Sequence, residues 1–145
     1  MSGEACPMPV PPTVDEETLI KHLLGAKRIA VIGLTDDPSR PSHYVSEYMM
    51  SQGKEIIPVN PSHEMVLGRK CYKSLKDVPG QIDLVNVFRR PLACPDVVRD
   101  AVAVGAKGVW LQSGIISDEA KRLAQEAGIP FIQNRCIMVE HSRRG

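Results

Sequence analysis

No apolar run in this sequence is longer than a few residues, so none of it reads as a bilayer-spanning helix. Residues 1–12 have neither the basic start nor the apolar stretch of a secretory signal, and their four prolines mark an extended or disordered lead-in. An excess of one charge is missing as well. The 18 Lys and Arg against 17 Asp and Glu leave a net charge of +1, which speaks against a generic nucleic-acid binder or a polybasic membrane binder. Cys6, Cys71, Cys94 and Cys136 form no C-x-x-C pair, and His22, His63 and His141 share no ligand spacing with them, so no metal site is expected. No G-x-S-x-G elbow surrounds Ser113 and no two carboxylates are spaced as an acid–base couple, so no catalytic residue is assigned. Without an export signal the thiols are expected to be reduced and the protein cytoplasmic.

What is present is the mix of an ordinary globular domain: 43% hydrophobic and 24% charged residues in a chain of 145. That length suits one domain, expected over 13–145, which can bury roughly 68–70% of its unfolded surface without a disulfide or metal staple. Thr13-Val-Asp-Glu16 reads as a capping box opening a helix that carries Leu19, Ile20, Leu23 and Leu24 on one face. Ile29-Ala-Val-Ile32, wholly apolar, reads as a strand covered on both sides. A helix over 43–52, a strand over 55–60 and a loop-rich crossover over 61–80 follow, the crossover with one short turn near Ser74. Then come a strand over 82–88, a helix over 93–104 presenting Val97, Val98, Ala101 and Val102, and a strand over 108–112. A helix capped by Ser117 and stopped at Gly128 leads to a fifth strand over 129–133, and 136–140 reads as a further strand. The expected fold is α/β: a three-layer, Rossmann-like, doubly wound and mainly parallel sheet of five to six strands.

In such a sheet ligands sit at the carboxyl ends of the strands, where the strand order reverses. The strand ends here offer Gly33 to Arg40, Asn60-Pro61-Ser62, Phe88-Arg-Arg-Pro91 and Gln112-Ser-Gly114. Amides after Gly33 and at the helix start near Ser42 make an anion cradle, and Arg40, Arg89 and Arg90 bring forks that fit phosphate. This reads as a site for a phosphate-bearing nucleotide. It lacks the G-x-G-x-x-G fingerprint and the acid expected after the second strand, both of which count against NAD, and it lacks a P-loop.

Six segments carry a family resemblance over about 15–142: Ile29-Ala-Val-Ile-Gly33, Asp37-Pro-Ser-Arg-Pro41, Ile57-Pro-Val-Asn-Pro61, Asp83-Leu-Val-Asn-Val-Phe-Arg-Arg-Pro91, Val109-Trp-Leu-Gln-Ser-Gly-Ile115 and Asn134-Arg-Cys-Ile-Met-Val-Glu-His141. Together they resemble the small bacterial and archaeal CoA-binding proteins and, more distantly, the CoA-binding domain of the succinyl-CoA synthetase α subunit. The resemblance implies a Rossmann-type domain that binds coenzyme A or an acyl-CoA. It would turn the loop from Gly33 through Leu34, Thr35 and Ser39 to Arg40 toward the phosphates. Asn60 and Pro61 would lie beside adenine and ribose, and Phe88, Arg89, Arg90, Gln112, Ser113 and Gly114 would flank the nucleotide and the start of the pantetheine arm. Two positions depart from the family pattern: Gly33-Leu-Thr35 stands for the more usual Gly-Ala-Ser, and Asn134 for an aspartate. The synthetase's phosphorylated histidine belongs to a second domain that has no counterpart in this sequence, which favours a bare binding domain over a ligase. An enzyme using CoA or NAD in the same crevice, and a CoA-responsive subunit of a larger complex, stay open, as does a homo-oligomer.

Some residues admit two readings from sequence. If Arg89 and Arg90 alternate along extended chain, one faces the crevice, and Arg89 is preferred. Trp110, inside an apolar strand, reads as core, and His43, opening a helix, as a surface or cap residue. Cys136 reads either as a small buried hydrophobe or as a thiol near the end of pantetheine, able to form a mixed disulfide if Arg135 stabilises its thiolate.

Overall fold

The computed structural model describes residues 15–144. The proline-rich lead-in and Thr13 of the expected capping box lie outside them. Helix α1 (Glu16–Leu24) is capped by Asp15, whose Oδ1 accepts the Thr18 N–H at 2.8 Å. The cap is therefore Asp15 and not the expected box: the Glu16 carboxylate, which a box would turn back onto the chain, instead binds Arg135 at 2.6 Å.

In chain order there follow β1 (Arg28–Ile32), α2 (Pro41–Ser51), β2 (Glu55–Val59), a hairpin of β3 (Met65–Val66) and β4 (Arg69–Lys70), a 3₁₀ turn (Leu75–Asp77) and β5 (Leu84–Val87). A second 3₁₀ turn (Pro91–Ala93), α3 (Cys94–Ala103), β6 (Val109–Leu111), α4 (Asp118–Ala127), β7 (Phe131–Ile132) and α5 (Ile137–Arg143) complete the chain. Five strands form one parallel sheet in the order β2-β1-β5-β6-β7. The expected sixth strand does not exist, because 136–140 enters α5. Ile137 and Glu140, three residues apart, are its buried positions, which is helical spacing.

Alternate residues of each strand feed opposite cores. Ala30, Ile32, Val85 and Val87 pack with Leu75, Val98, Ala101 and Ala120 on the face covered by α3 and α4. Ile29, Val31, Leu84 and Trp110 pack with Ile20, Val45, Met49 and Ile137 on the face covered by α1, α2 and α5. Trp110 is completely buried, its indole N–H donating to the Arg135 carbonyl at 2.8 Å. On α3, Val98 and Ala101 are buried, whereas Val102 is 44% exposed and falls off the inward stripe. Ser117 caps α4 through the Ala120 N–H at 3.1 Å, and Gly128, in the left-handed conformation, ends it.

The chain runs from β1 outward to β2 and then returns across β1 to add β5, β6 and β7 on the other side. The reversal lies between β1 and β5, and connections leave their carboxyl ends toward opposite faces of the sheet. A crevice opens there.

Candidate functional site at the β1–β5 reversal

The two strands at the reversal end in loops that touch. Gly33 has φ +88°, and a Cβ placed there would lie 2.7 Å from the Phe88 carbonyl oxygen and 3.2 Å from Arg89 Cδ. Only glycine meets both demands, conformational and steric. The neighbouring backbone is tied into the sheet: the Gly33 N–H donates to the Val59 carbonyl at 2.8 Å and the Phe88 N–H to the Ile32 carbonyl at 2.9 Å. The loop after β1, the end of β2 and the loop after β5 are thus brought together.

Within the loop after β1, Leu34 is fully buried and offers only backbone to the crevice. The Thr35 N–H donates to Ser42 Oγ at 3.3 Å, while Thr35 Oγ1 is buried with no hydrogen-bond partner among the described residues. Asp37 Oδ1 accepts the Ser39 N–H at 3.0 Å and the Ser39 hydroxyl at 2.8 Å. Those two bonds hold the Asp37 carboxyl below its ordinary range and commit Ser39 to shaping the turn. Arg40 is exposed at the N-cap of α2, directly before Pro41.

Asn60 is a brace. Its Nδ2 donates to the Leu34 carbonyl at 3.1 Å and its Oδ1 accepts the Ser62 N–H at 2.9 Å, locking the end of β2 to the loop after β1. Pro61 is exposed and lines a cleft of about 270 Å³ floored by Ile32, Val59, Leu75 and Val97. Arg89 borders this cleft and also an adjoining depression formed with Phe88, Arg90, Leu92 and Ala93. Arg90 borders only the depression. Both arginines are exposed, and neither has an ion-pair partner among the described residues.

Two expected contributors are arranged differently. Gln112 is turned inward, 3% exposed: its Nε2 donates to Asn86 Oδ1 at 2.5 Å and its Oε1 accepts the Ile137 N–H at 3.4 Å. It joins β5, β6 and α5 and does not reach the crevice. Ser113 is exposed beyond it, and Gly114, at φ +87°, donates its N–H to Asn134 Oδ1 at 2.8 Å. Asn134 itself has φ +61°, a conformation that asparagine tolerates well.

Cys136 is half-buried against the core beneath α1, α2 and α5 and borders neither hollow at the reversal. Arg135 is not available to a thiolate in the way expected. Its guanidinium binds Glu16 at 2.6 Å and Glu140 at 3.2 Å, two carboxylates that neutralise its charge. Cys94 and Cys71 are buried; burial pushes Cys94 up to about 11 and raises Cys71 as well.

Lys73, Ser74, Asp96, Val97 and Asp100 also line the cleft, although in the sequence Val97 reads only as a helix-face residue, Ser74 only as part of a turn, and none of the five as a site residue. Asp96 and Asp100 are spaced i, i+4, so their common stripe on a helix was readable. That this stripe faces the end of β2 depends on how α3 packs.

A family model for the CoA binding domain matches residues 27–142. An uncharacterized protein of Bacillus subtilis (strain 168), YneT, is 45% identical over 124 residues, covering 85% of this chain and 92% of its own length. A hypothetical protein from Pyrococcus horikoshii OT3 superposes with a TM-score of 0.85 at 39% identity, covering 90% of this chain and 92% of that one. The α subunit of ADP-forming acetate–CoA ligase II from Pyrococcus furiosus is 28% identical over 130 residues, which is 82% of this chain and 28% of the subunit. This chain therefore corresponds to little more than a quarter of that subunit.

Proposed function

The chain belongs to the CoA binding domain family, and from that premise we propose that it binds coenzyme A at the β1–β5 reversal as a binding module with no catalytic step of its own. The observation that carries this reading is the contact of the Gly33 loop with Arg89 beside a cleft that has an apolar floor and polar walls. Amides and a guanidinium suit phosphates, and the cleft suits the adenosine end. Ser113 and Gly114 stand at the next strand tip, where the pantetheine arm would pass. NAD fits less well, because the β2 end carries Asn60, spent on Leu34 and Ser62, in place of a carboxylate free for ribose hydroxyls.

Calorimetric titration with CoA tests the reading. Arg89→Ala is expected to weaken binding by about 1.5–3 kcal/mol, or roughly ten- to hundredfold, the contribution of a charge-assisted bond. A loss under about twofold excludes Arg89 as a phosphate ligand, and absence of CoA binding by the unaltered protein excludes the function.

A second reading is favoured by the ligase relatives, whose α subunits contain a matching segment. In it the CoA-loaded domain serves a larger cytoplasmic assembly. Co-purification of a partner that leaves when CoA is removed would support that reading, and a chain that elutes at its own size with and without CoA would count against it.

A further inference from the structure

A site for a polyanionic ligand has an unexpected wall. Two carboxylates, Asp96 and Asp100, line the same cleft as Arg89. Asp96 is committed to Arg99 at 2.7 Å, but Asp100 keeps one oxygen uncommitted among the described residues, which would repel a phosphate and favours a hydrogen-bond donor on the part of the ligand beside it. Helix α3 starts just after β5 and runs away from the strand tips, which puts Asp100 just over one turn, about 6 Å, farther from Arg89's end of the cleft than Asp96. Phosphates therefore belong at the strand tips and the base at the Asp100 end.

We infer that this end of the cleft reads the amino edge of adenine, with Asp100 accepting from the exocyclic amino group and the Ser74 hydroxyl donating to a ring nitrogen. The inference rests on the CoA reading above and adds its base specificity. Asp100 Oδ1 lies 3.5 Å from Lys76 Nζ, and Oδ2 has no partner among the described residues. Ser74 Oγ accepts the Lys76 N–H at 3.2 Å, which leaves its proton uncommitted. An ionised carboxylate only accepts and a hydroxyl can donate, the complement of an amino group beside a ring nitrogen. A 6-oxo purine presents a carbonyl at the same place, which the carboxylate repels. Leu75 and Val97 supply apolar surface for the ring.

The test compares CoA with its hypoxanthine analogue by calorimetry. The unaltered protein is expected to prefer CoA at least tenfold. Asp100→Asn, nearly isosteric and able to donate to a carbonyl, is expected to bring the two ligands within about threefold, and Ser74→Ala to weaken CoA more than the analogue. Equal affinities in the unaltered protein, or a preference unchanged in Asp100→Asn, would overturn the inference while leaving CoA binding intact. Failure of the unaltered protein to bind either ligand overturns the functional reading itself, and the base reading with it.

Discussion

A methyl group on Gly33 would press on the Phe88 carbonyl at 2.7 Å in a conformation that side chains resist. Gly33→Ala is accordingly expected to cost on the order of 1–3 kcal/mol, visible as a lower urea midpoint, and to weaken CoA binding by parting the two loops. Alanine at Gly53, where no atom lies within 4 Å of the added carbon, has the same backbone problem without the collision and is expected to cost less. The thiols also divide by environment. Cys136, half-buried, should be alkylated well before Cys71 and Cys94, which are buried and hard to ionise; peptide mapping after timed iodoacetamide treatment reads the order. Faster labelling of Cys94 would contradict its burial. That Gly33 and Arg89 lie at the same end of the sheet was legible in the sequence, because both follow strands of a doubly wound sheet at their carboxyl ends. The inward turn of Gln112 was not, since it follows from Asn86 and the Ile137 amide, groups on other elements.

Helix α5 shows what a short apolar run conceals. Cys136-Ile-Met-Val-Glu140 reads equally as a strand, because so few residues cannot separate a period of 2 from one of 3.6. The structure resolves it through Glu140, which is 4% exposed and receives Arg144 at 2.8 Å and Arg135 at 3.2 Å. Arg144 also binds Glu17, and Arg135 binds Glu16, so the network fastens α5 to α1. Burial alone would raise the Glu140 pKa; the hydrogen bonds from Arg144 and Arg135 outweigh it and hold the group below its ordinary 4.5. A depressed carboxylate stabilises the fold above its unfolded pKa and ceases to do so as pH falls through the folded value. Glu140→Gln is therefore expected to lower stability at neutral pH by about 1.5–3 kcal/mol. The gap to the unaltered protein should close as pH falls from about 5 toward 3. A gap that is constant over that range would show that Glu140 acts by packing and not by charge.

At the scale of the whole molecule, the alternation of helices and strands was readable from α1 to β7, because the strands of the parallel sheet are short, largely apolar runs near glycine or proline; the β3–β4 hairpin and α5 were not. The strand order was not readable, and with it the knowledge that β1 and β5 are neighbours. The crossovers place α2 on one face and α3 on the other, and the cleft lies on the α3 face, between the ends of β1 and β2, the first 3₁₀ turn and α3. The same arrangement explains why Lys73, Ser74, Asp96 and Asp100, distant from any recognisable motif, share a hollow with Arg89. Another hollow, of about 370 Å³, lies near Lys107 and Gly128. Titration of the isotope-labelled protein with CoA, followed by amide ¹H–¹⁵N spectra, separates the two locations. Ligand-induced shifts are expected at 33–40, 60–63, 74–75 and 88–97; shifts gathered around 106–108 and 127–130, or none at saturating CoA, would contradict a binding site at the β1–β5 reversal.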